Sequence, residues 1–328
     1  MANIKHTINA AQNFRTKFQI PDKTILHWYP GHMSKGMQKM QNTLKTVDCI
    51  IEVHDARIPF SGRNPDFIKK LTGVRPHVLV YNKIDLAGYS YIGKLRSVLK
   101  FQGEPNVLFT NSKERNCKGI QQIVPLVSDL VSSVNRFNRN EELEYRIMVI
   151  GVPNVGKSSL INAIRNKFLK RANAAAVGAI AGITKSVSTR IKISDDPLIY
   201  ILDTPGILTP SVPNVEVGMR LALCATIPDG IVGIENIADY LLYWLNKHKN
   251  FSYISYLGMK EPSDNIDEVL TVGAVNYNRM VKRKNENGQY MFYPDKMSTA
   301  HNFVDAFRRG IFGNFLLDLE KLETHCKY

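Results

Sequence analysis

Long apolar runs are what this sequence most conspicuously lacks. No uninterrupted stretch approaches the roughly 18 residues of a membrane-spanning helix, and the longest candidate, 237–245, is broken by Asp239. Cysteine is scarce as well. The four present (Cys49, Cys117, Cys224, Cys326) are scattered with no CxxC pair, which argues against a zinc site or a disulfide framework and for a reducing compartment. Internal repeats and low-complexity tracts are absent too. Against these absences stand 328 residues, length for about two domains, and 44% hydrophobic side chains, enough to bury a core and to exclude wholesale disorder.

Acid is missing locally. Residues 1–213 carry 30 basic and 15 acidic side chains, whereas residues 214–328 carry 13 and 14. Residues 165–192 hold Arg165, Lys167, Lys170, Arg171, Lys185, Arg190 and Lys192 with no acid at all, and residues 1–47 hold seven basic groups against Asp22 alone. A solvated basic surface would give this composition. An excess confined to one part of the chain points instead to a polyanion, with nucleic acid the leading partner. Residues 1–23 interleave Lys5, Arg15 and Lys17 with Ile4, Ile8, Phe14 and Phe18. That composition belongs equally to a mitochondrial presequence and to an ordinary basic arm, and both readings stay open.

Short apolar runs at 49–54, 78–81, 107–110, 146–150 and 198–202 end in polar or glycine-rich turns and read as buried strands. Helical periodicity separates them at 64–71, 90–101, 118–134 and 157–169. Strand-then-helix alternation predicts a mainly parallel α/β sheet with helices on both faces. After Pro210 the alternation stops. Residues 215–225, 233–247, 263–272, 276–284 and 298–320 read as helices, with Ser263 and Ser298 as caps. The expected organisation is a basic arm over 1–26, an α/β domain over 27–213 and a small all-helical domain over 214–328.

The segment Gly151-Val152-Pro153-Asn154-Val155-Gly156-Lys157-Ser158 matches GxxxxGK[ST] between a strand and an amphipathic helix, the context this motif requires. Backbone N–H groups from Asn154 through Val155, Gly156, Lys157, Ser158 and Ser159 would line the phosphates, aided by the helix N-terminus. Lys157 would reach the β- and γ-phosphates, and the Ser158 hydroxyl would hold Mg²⁺. Downstream, Asp203-Thr204-Pro205-Gly206 ends a strand, with Asp203 near the metal and Gly206 N–H near the γ-phosphate. Thr184 is the natural hydroxyl ligand from the intervening loop.

Base selection lies upstream. Asn82-Lys83-Ile84-Asp85 follows one strand and Asn111-Ser112-Lys113 follows another. An aspartate on the Watson–Crick edge accepts from guanine N1–H and N2–H₂, each bond contributing about 1.5–3 kcal/mol, and adenine offers no such donor pair. Lys83 would lie along the base, and Ser112 N–H would address O6. The expected ligands are GTP and GDP.

The order NKID, TNSK, GVPNVGKS, GIT, DTPG is rotated from the usual G-protein order, which begins at the phosphate loop. With HWYPGHM (27–33) and DARIPFSGRNP (55–65) in front, it resembles the circularly permuted YlqF/RbgA family of GTPases, and within it the mitochondrial ribosome-associated GTPase 1 branch. The resemblance spans 27 to about 210; the C-terminal helices match only in size and character. It implies GTP hydrolysis, assembly of the large ribosomal subunit with contact to its rRNA, and a mitochondrial matrix location with a peripheral inner-membrane contact; cytoplasm is the alternative. The rotation also sends the chain from the DTPG loop directly into the helical part. A γ-phosphate-dependent shift there would pass to residues 214–328 along the chain.

Ras-like GTPases orient the attacking water with a glutamine just after DxxG. Ile207 stands there and cannot hydrogen-bond water, a hydrophobic replacement shared with the family. The resemblance assigns the task to His32, whose unperturbed pKa of about 6.5 suits it to neutral pH. It also implies that Asn154 helps to seat K⁺ beside the phosphates. Ala181 departs from the family's proline before the Gly-Ile-Thr element. Three basic surfaces compete for RNA: Lys35 and Lys39 in the arm, the acid-free 165–192 segment, and Arg279, Lys282, Arg283 and Lys284 with Tyr277, Tyr290, Phe292 and Tyr293 nearby. The competing functional classes are a non-catalytic GTP-gated RNA-binding scaffold and a P-loop ATPase or kinase.

Overall fold

The computed structural model describes residues 14–20, 44, 46–63, 75–136, 141–169, 190–203, 212–285 and 288–326. His32, Lys35, Lys39, Thr184 and Gly206, the helix expected at 64–71 and most of the acid-free segment lie outside the described residues.

In chain order the strands are β1 (Cys49–Asp55), β2 (His77–Asn82), β3 (Val107–Phe109), β4 (Glu144–Ile150), β5 (Arg190–Asp195), β6 (Leu198–Asp203), β7 (Met280–Lys284) and β8 (Tyr290–Pro294). The helices are α1 (Ile84–Ala87), α2 (Ile92–Phe101), α3 (Lys118–Ser132), α4 (Lys157–Phe168), α5 (Val215–Leu223), α6 (Asp229–Val232), α7 (Ile234–Lys247), α8 (Ser252–Leu257), α9 (Ile266–Asn276), α10 (Lys296–Arg308) and α11 (Leu319–His325). They sort into two compact units. One holds 14–20, Pro213–Leu223 and Asp229–Gly313; the other holds the described residues from 44 to 212 with Cys224–Pro228 and residues 314–326.

The sheet unit carries strands in the order β3-β2-β1-β4-β6-β5, all parallel except β5, which runs antiparallel to β6. Its central strands are apolar on both faces because helices cover both. Ile50, Ile51, Val53, Leu79, Val80, Ile147 and Val149 are buried, each worth about 1.5–3 kcal/mol. The expected strands at 49–54, 78–81, 107–110, 146–150 and 198–202 are these; β5, an edge strand reading Arg-Ile-Lys-Ile, escaped the apolar-run criterion. One polar cluster interrupts the core. Glu52, fully buried, accepts from Arg63 Nε at 3.0 Å and from the ring of His54 at 2.5 Å. His77 Nε2 lies 2.9 Å from its other oxygen, an ion contact without hydrogen-bond alignment, and Glu104 receives Arg63 Nη2 at 2.6 Å.

Residues 314–326 return to this sheet. The buried Asp318 carboxylate accepts from Phe60 N at 2.8 Å and from Ser61 N at 2.7 Å, while Leu316 and Leu322 join the cluster of Leu79, Tyr81, Leu95 and Phe109. The helix expected over 298–320 is therefore two helices, α10 and α11, with the chain crossing between units after Gly310 and Gly313.

In the other unit α7 is buried nearly all round, from Ile237 and Tyr240 to Leu245. The sequence's longest apolar stretch is thus a core helix. Residues 14–20 pack on it: Arg15 forks onto Asp239 at 2.7 and 3.0 Å, its backbone N–H reaches Asp264 at 2.8 Å, and Phe18 meets Tyr240 edge-on at 5.1 Å. Two cap expectations shift by three residues or fewer. Asn265, not Ser263, accepts from the first turn of α9, and Asp295, not Ser298, caps α10 by accepting from Ser298 N–H. Over 276–284 the structure overturns the expected helix: Met280–Lys284 pairs antiparallel with Tyr290–Pro294. Gly288 at φ 76° closes the turn, and the aromatic run Tyr290-Met291-Phe292-Tyr293 prefers an extended backbone, so the pair outcompetes the helix.

Candidate active site

The sheet order reverses between β1 and β4, and a ligand of an open α/β sheet sits at that point, beyond the carboxyl ends of the strands. Every described motif gathers at those ends. The phosphate loop follows β4, NKID follows β2, TNSK follows β3, and Asp203 is the last residue of β6, paired with Val149 of β4.

Asn82 joins the two halves. Its Nδ2 donates to Val155 O in the phosphate loop at 3.0 Å, while its Oδ1 accepts from Thr110 Oγ1 at 3.1 Å and Ser112 Oγ at 2.9 Å. Ser112 N–H points at the same oxygen from 3.3 Å. Asn82 is buried, so each group it satisfies would otherwise cost about 1–3 kcal/mol. The close approach explains Gly156: at φ 94°, a Cβ there would sit 2.4 Å from Asn82 Nδ2.

Lys83 forms a second tie. Held at φ 61°, it donates from Nζ to Asn154 O at 2.6 Å and pairs with Asp55 Oδ2 at 3.0 Å. Asp55 also receives Arg57 Nε at 3.0 Å and Nη2 at 2.8 Å. Burial alone would raise the Asp55 carboxyl, but Arg57 and Lys83 outweigh it and hold it far below the usual carboxylate range. Asp55 is thus an ionised anchor for the lysine of NKID. DARIP has no task that its sequence announces; an acid at a strand end two residues before an arginine is the local signal for it.

Lys157 is buried, with Nζ on the loop carbonyls of Val152 at 3.0 Å and Gly151 at 3.3 Å, so it stands inside the loop whose amides it shares. Ser158 and Ser159 lie half-buried in the first turn of α4. Asn154, at φ 58°, donates from Nδ2 to Ala225 O at 2.8 Å, so the turn Cys224–Pro228 lies against the phosphate loop. Asp85 sits half-buried in α1, where no donor among the described residues hydrogen-bonds its carboxylate. Asn111 Oδ1 accepts from Lys113 N–H at 3.0 Å, shaping the loop beyond β3. The residues offered to Mg²⁺ are hard oxygen donors: Ser158 lies in the first turn of α4, and Asp203 ends β6 at the carboxyl ends of the parallel strands. The structure therefore ties Asn82 and Lys83 to Val155 and Asn154 across some 70 residues of chain, with Ser112 joined to the same Asn82 side chain.

A family model described as 50S ribosome-binding GTPase matches residues 146–272, starting at the strand before the phosphate loop and leaving the NKID and TNSK motifs upstream. "Mitochondrial GTPase 1" of Aedes aegypti is 51% identical over 310 residues, 94% of this chain and 98% of its own. "Mitochondrial ribosome-associated GTPase 1" of Ictalurus punctatus is 46% identical over 319 residues, 96% and 99% of the two chains, and that of Mus musculus 47% over 309, 93% and 94%. Among solved structures, GNP-bound YlqF from T. maritima aligns with a TM-score of 0.52 at 22% identity, over 85% of this chain and 95% of that one, which shows the shared fold. By sequence likeness over nearly its whole length, and by NKID and TNSK motifs that precede its phosphate loop, this chain belongs to the mitochondrial ribosome-associated GTPase 1 family and is a mitochondrial GTPase with a circularly permuted G domain.

Proposed function

We propose that the chain hydrolyses GTP to GDP and phosphate while docked on a maturing large ribosomal subunit in mitochondria, and that it serves as an assembly factor there. The observation that carries the nucleotide reading is Asn82, which bonds the phosphate loop and the second base-reading loop at once. The ribosomal reading is supported by the relatives named mitochondrial ribosome-associated GTPase 1 and by the 50S ribosome-binding GTPase family model, together with the basic excess of residues 1–213.

In this reading Asp85 accepts from the guanine edge, Lys83 lies along the base, and Asn111, Ser112 and Lys113 close over it with Ser112 N–H on O6. Amides of Asn154 to Ser159 hold the phosphates, and Lys157 exchanges its loop carbonyls for β- and γ-oxygens. GTPases of this class work with Mg²⁺, which neutralises developing phosphate charge; Ser158, Thr184 and Asp203 would hold it, with Gly206 N–H on the γ-phosphate. Ile207 cannot orient water, so His32 takes that role. K⁺ would sit at Asn154. Its Nδ2 is engaged by Ala225 O, so the amide oxygen Oδ1 is the atom that would serve as the cation's ligand. No helix among the described residues is long and apolar enough to cross a membrane; the inner-membrane contact we propose is peripheral.

The test is GTP turnover in potassium buffer with and without purified large subunits, beside a sodium control. The expected result is a subunit-dependent rise, larger in potassium and lost in His32→Ala. Confirmed GTP binding with no turnover under any condition would favour a non-catalytic GTP-gated scaffold, the class Ile207 alone would permit.

A further inference from the structure

The β7–β8 pair stands open on both faces. Its register sets Lys282 opposite Phe292 and Lys284 opposite Tyr290, and residues directly opposite share a face. One face therefore carries Met280, Lys282, Lys284, Tyr290 and Phe292, all exposed, with Phe292 at 66% and Tyr290 at 61%. The lysines rest on a ring: Lys282 Nζ lies 4.6 Å and Lys284 Nζ 5.4 Å from the Tyr290 centroid. A two-stranded ribbon is marginal in water by itself. This one is held at its base, where Asp295 N–H donates to Arg279 O at 2.9 Å and Arg279 Nη1 to Ser298 Oγ at 2.8 Å.

Large aromatic surface left in water at this density marks a binding face. The chemistry selects the occupant. Protein interfaces deplete lysine where they are most buried, whereas here each lysine of β7 lies directly opposite a ring of β8 on one surface. Membrane-inserting faces keep rings and cations on separate faces; here the row of rings and the row of lysines share one face. Rings two residues apart along a strand are about 6.8 Å apart, a spacing that suits bases splayed out of a stack, with the row of cations beside them for the phosphates.

We propose that this face of the ribbon binds unpaired RNA, Tyr290 and Phe292 stacking on successive bases and Lys282 and Lys284 meeting the flanking phosphates. The proposal rests on the ribosomal reading above for the source of the RNA, and it assigns the contact to one named element.

The experiment measures binding of a labelled oligouridylate to the full chain, with subunit co-sedimentation as a separate readout. Tyr290→Ala with Phe292→Ala should weaken oligouridylate binding about tenfold or more, while Tyr290→Phe with Phe292→Tyr retains it. Lys282→Ala with Lys284→Ala should lower the slope of log affinity against log salt by about 1.4. All these positions are exposed, so melting and subunit-free GTP turnover should not change. Absence of oligouridylate binding by the wild-type chain, or unchanged affinity in the aromatic variant, would overturn the proposal. So would a loss seen only with anionic lipid vesicles, which would make the face a membrane contact. Ribbon-dependent RNA binding without co-sedimentation would support the ribbon and sink the ribosomal reading; co-sedimentation with RNA affinity indifferent to the ribbon would do the reverse.

Discussion

Single residues carry the join between the two halves of the site. Asn82→Ala would leave Val155 O, Thr110 Oγ1 and Ser112 Oγ without their shared partner in a buried place. We expect about 2–4 kcal/mol lost in urea unfolding and GTP affinity at least tenfold weaker. Native stability with weakened binding would mean that Asn82 touches only the ligand. Gly156→Ala is expected to abolish GTP binding measured by calorimetry, since its methyl would press on Asn82 at a left-handed φ; normal affinity there would contradict the packing described. The motif residues were legible in the sequence because phosphate and base recognition demand fixed residue types at fixed spacings. The braces were not. Asp55 under Lys83 and Ala225 against Asn154 are meetings of distant segments, and no local pattern announces them.

Elements respond to charge as well as to packing. Burial disfavours a protonated His77, but Glu104 and Glu52 outweigh it and raise the pKa. That contribution is fully present below about pH 6.5 and is lost as pH rises through the folded-state value. Glu52 moves the other way. Burial opposes ionisation, yet His54, His77 and Arg63 hold it well below the usual range, so its contribution is present above about pH 4.3 and is lost on acidification through the lower folded value. The urea midpoint should therefore fall as pH rises from about 6 to 9. His77→Gln should flatten that fall; parallel profiles for the two chains would contradict the assignment. Residues 14–20 give a second prediction. Arg15→Ala removes a fork onto Asp239 and a bond to Asp264 at a partly exposed site, for an expected loss of about 1–2 kcal/mol in thermal unfolding. An unchanged transition would mean that the segment is only laid on the surface. Strands with continuous apolar runs were legible, as were α3 and α4. The ribbon was misread because lysines and aromatics fit a helix face and an exposed strand equally well until the Asn285–Gly288 turn is weighed.

At the scale of the whole molecule, the chain builds the strands that carry NKID and TNSK first, then the strand before the phosphate loop, and leaves β6 for the other unit. The parallel sheet and its motifs were readable from 49 to 203, because both hydrophobic pattern and chemistry repeat there. The return of residues 314–326 to that sheet was not, since the Asp318 bonds to Phe60 and Ser61 link positions far apart in sequence. A flexible insertion in the 207–214 connection should leave basal GTP hydrolysis intact while uncoupling it from subunit binding; retained coupling in a sedimentation assay would deny the connection that role. We propose that residues 82–85 and 151–158 form one guanine-nucleotide site despite their reversed order. Competitive binding of guanosine, xanthosine and adenosine triphosphates to the full chain and to Asp85→Asn measures this. GTP binding should be undisturbed by excess ATP in the wild type, and preference should shift to xanthosine triphosphate in the variant. Unchanged preference for GTP in Asp85→Asn would contradict it.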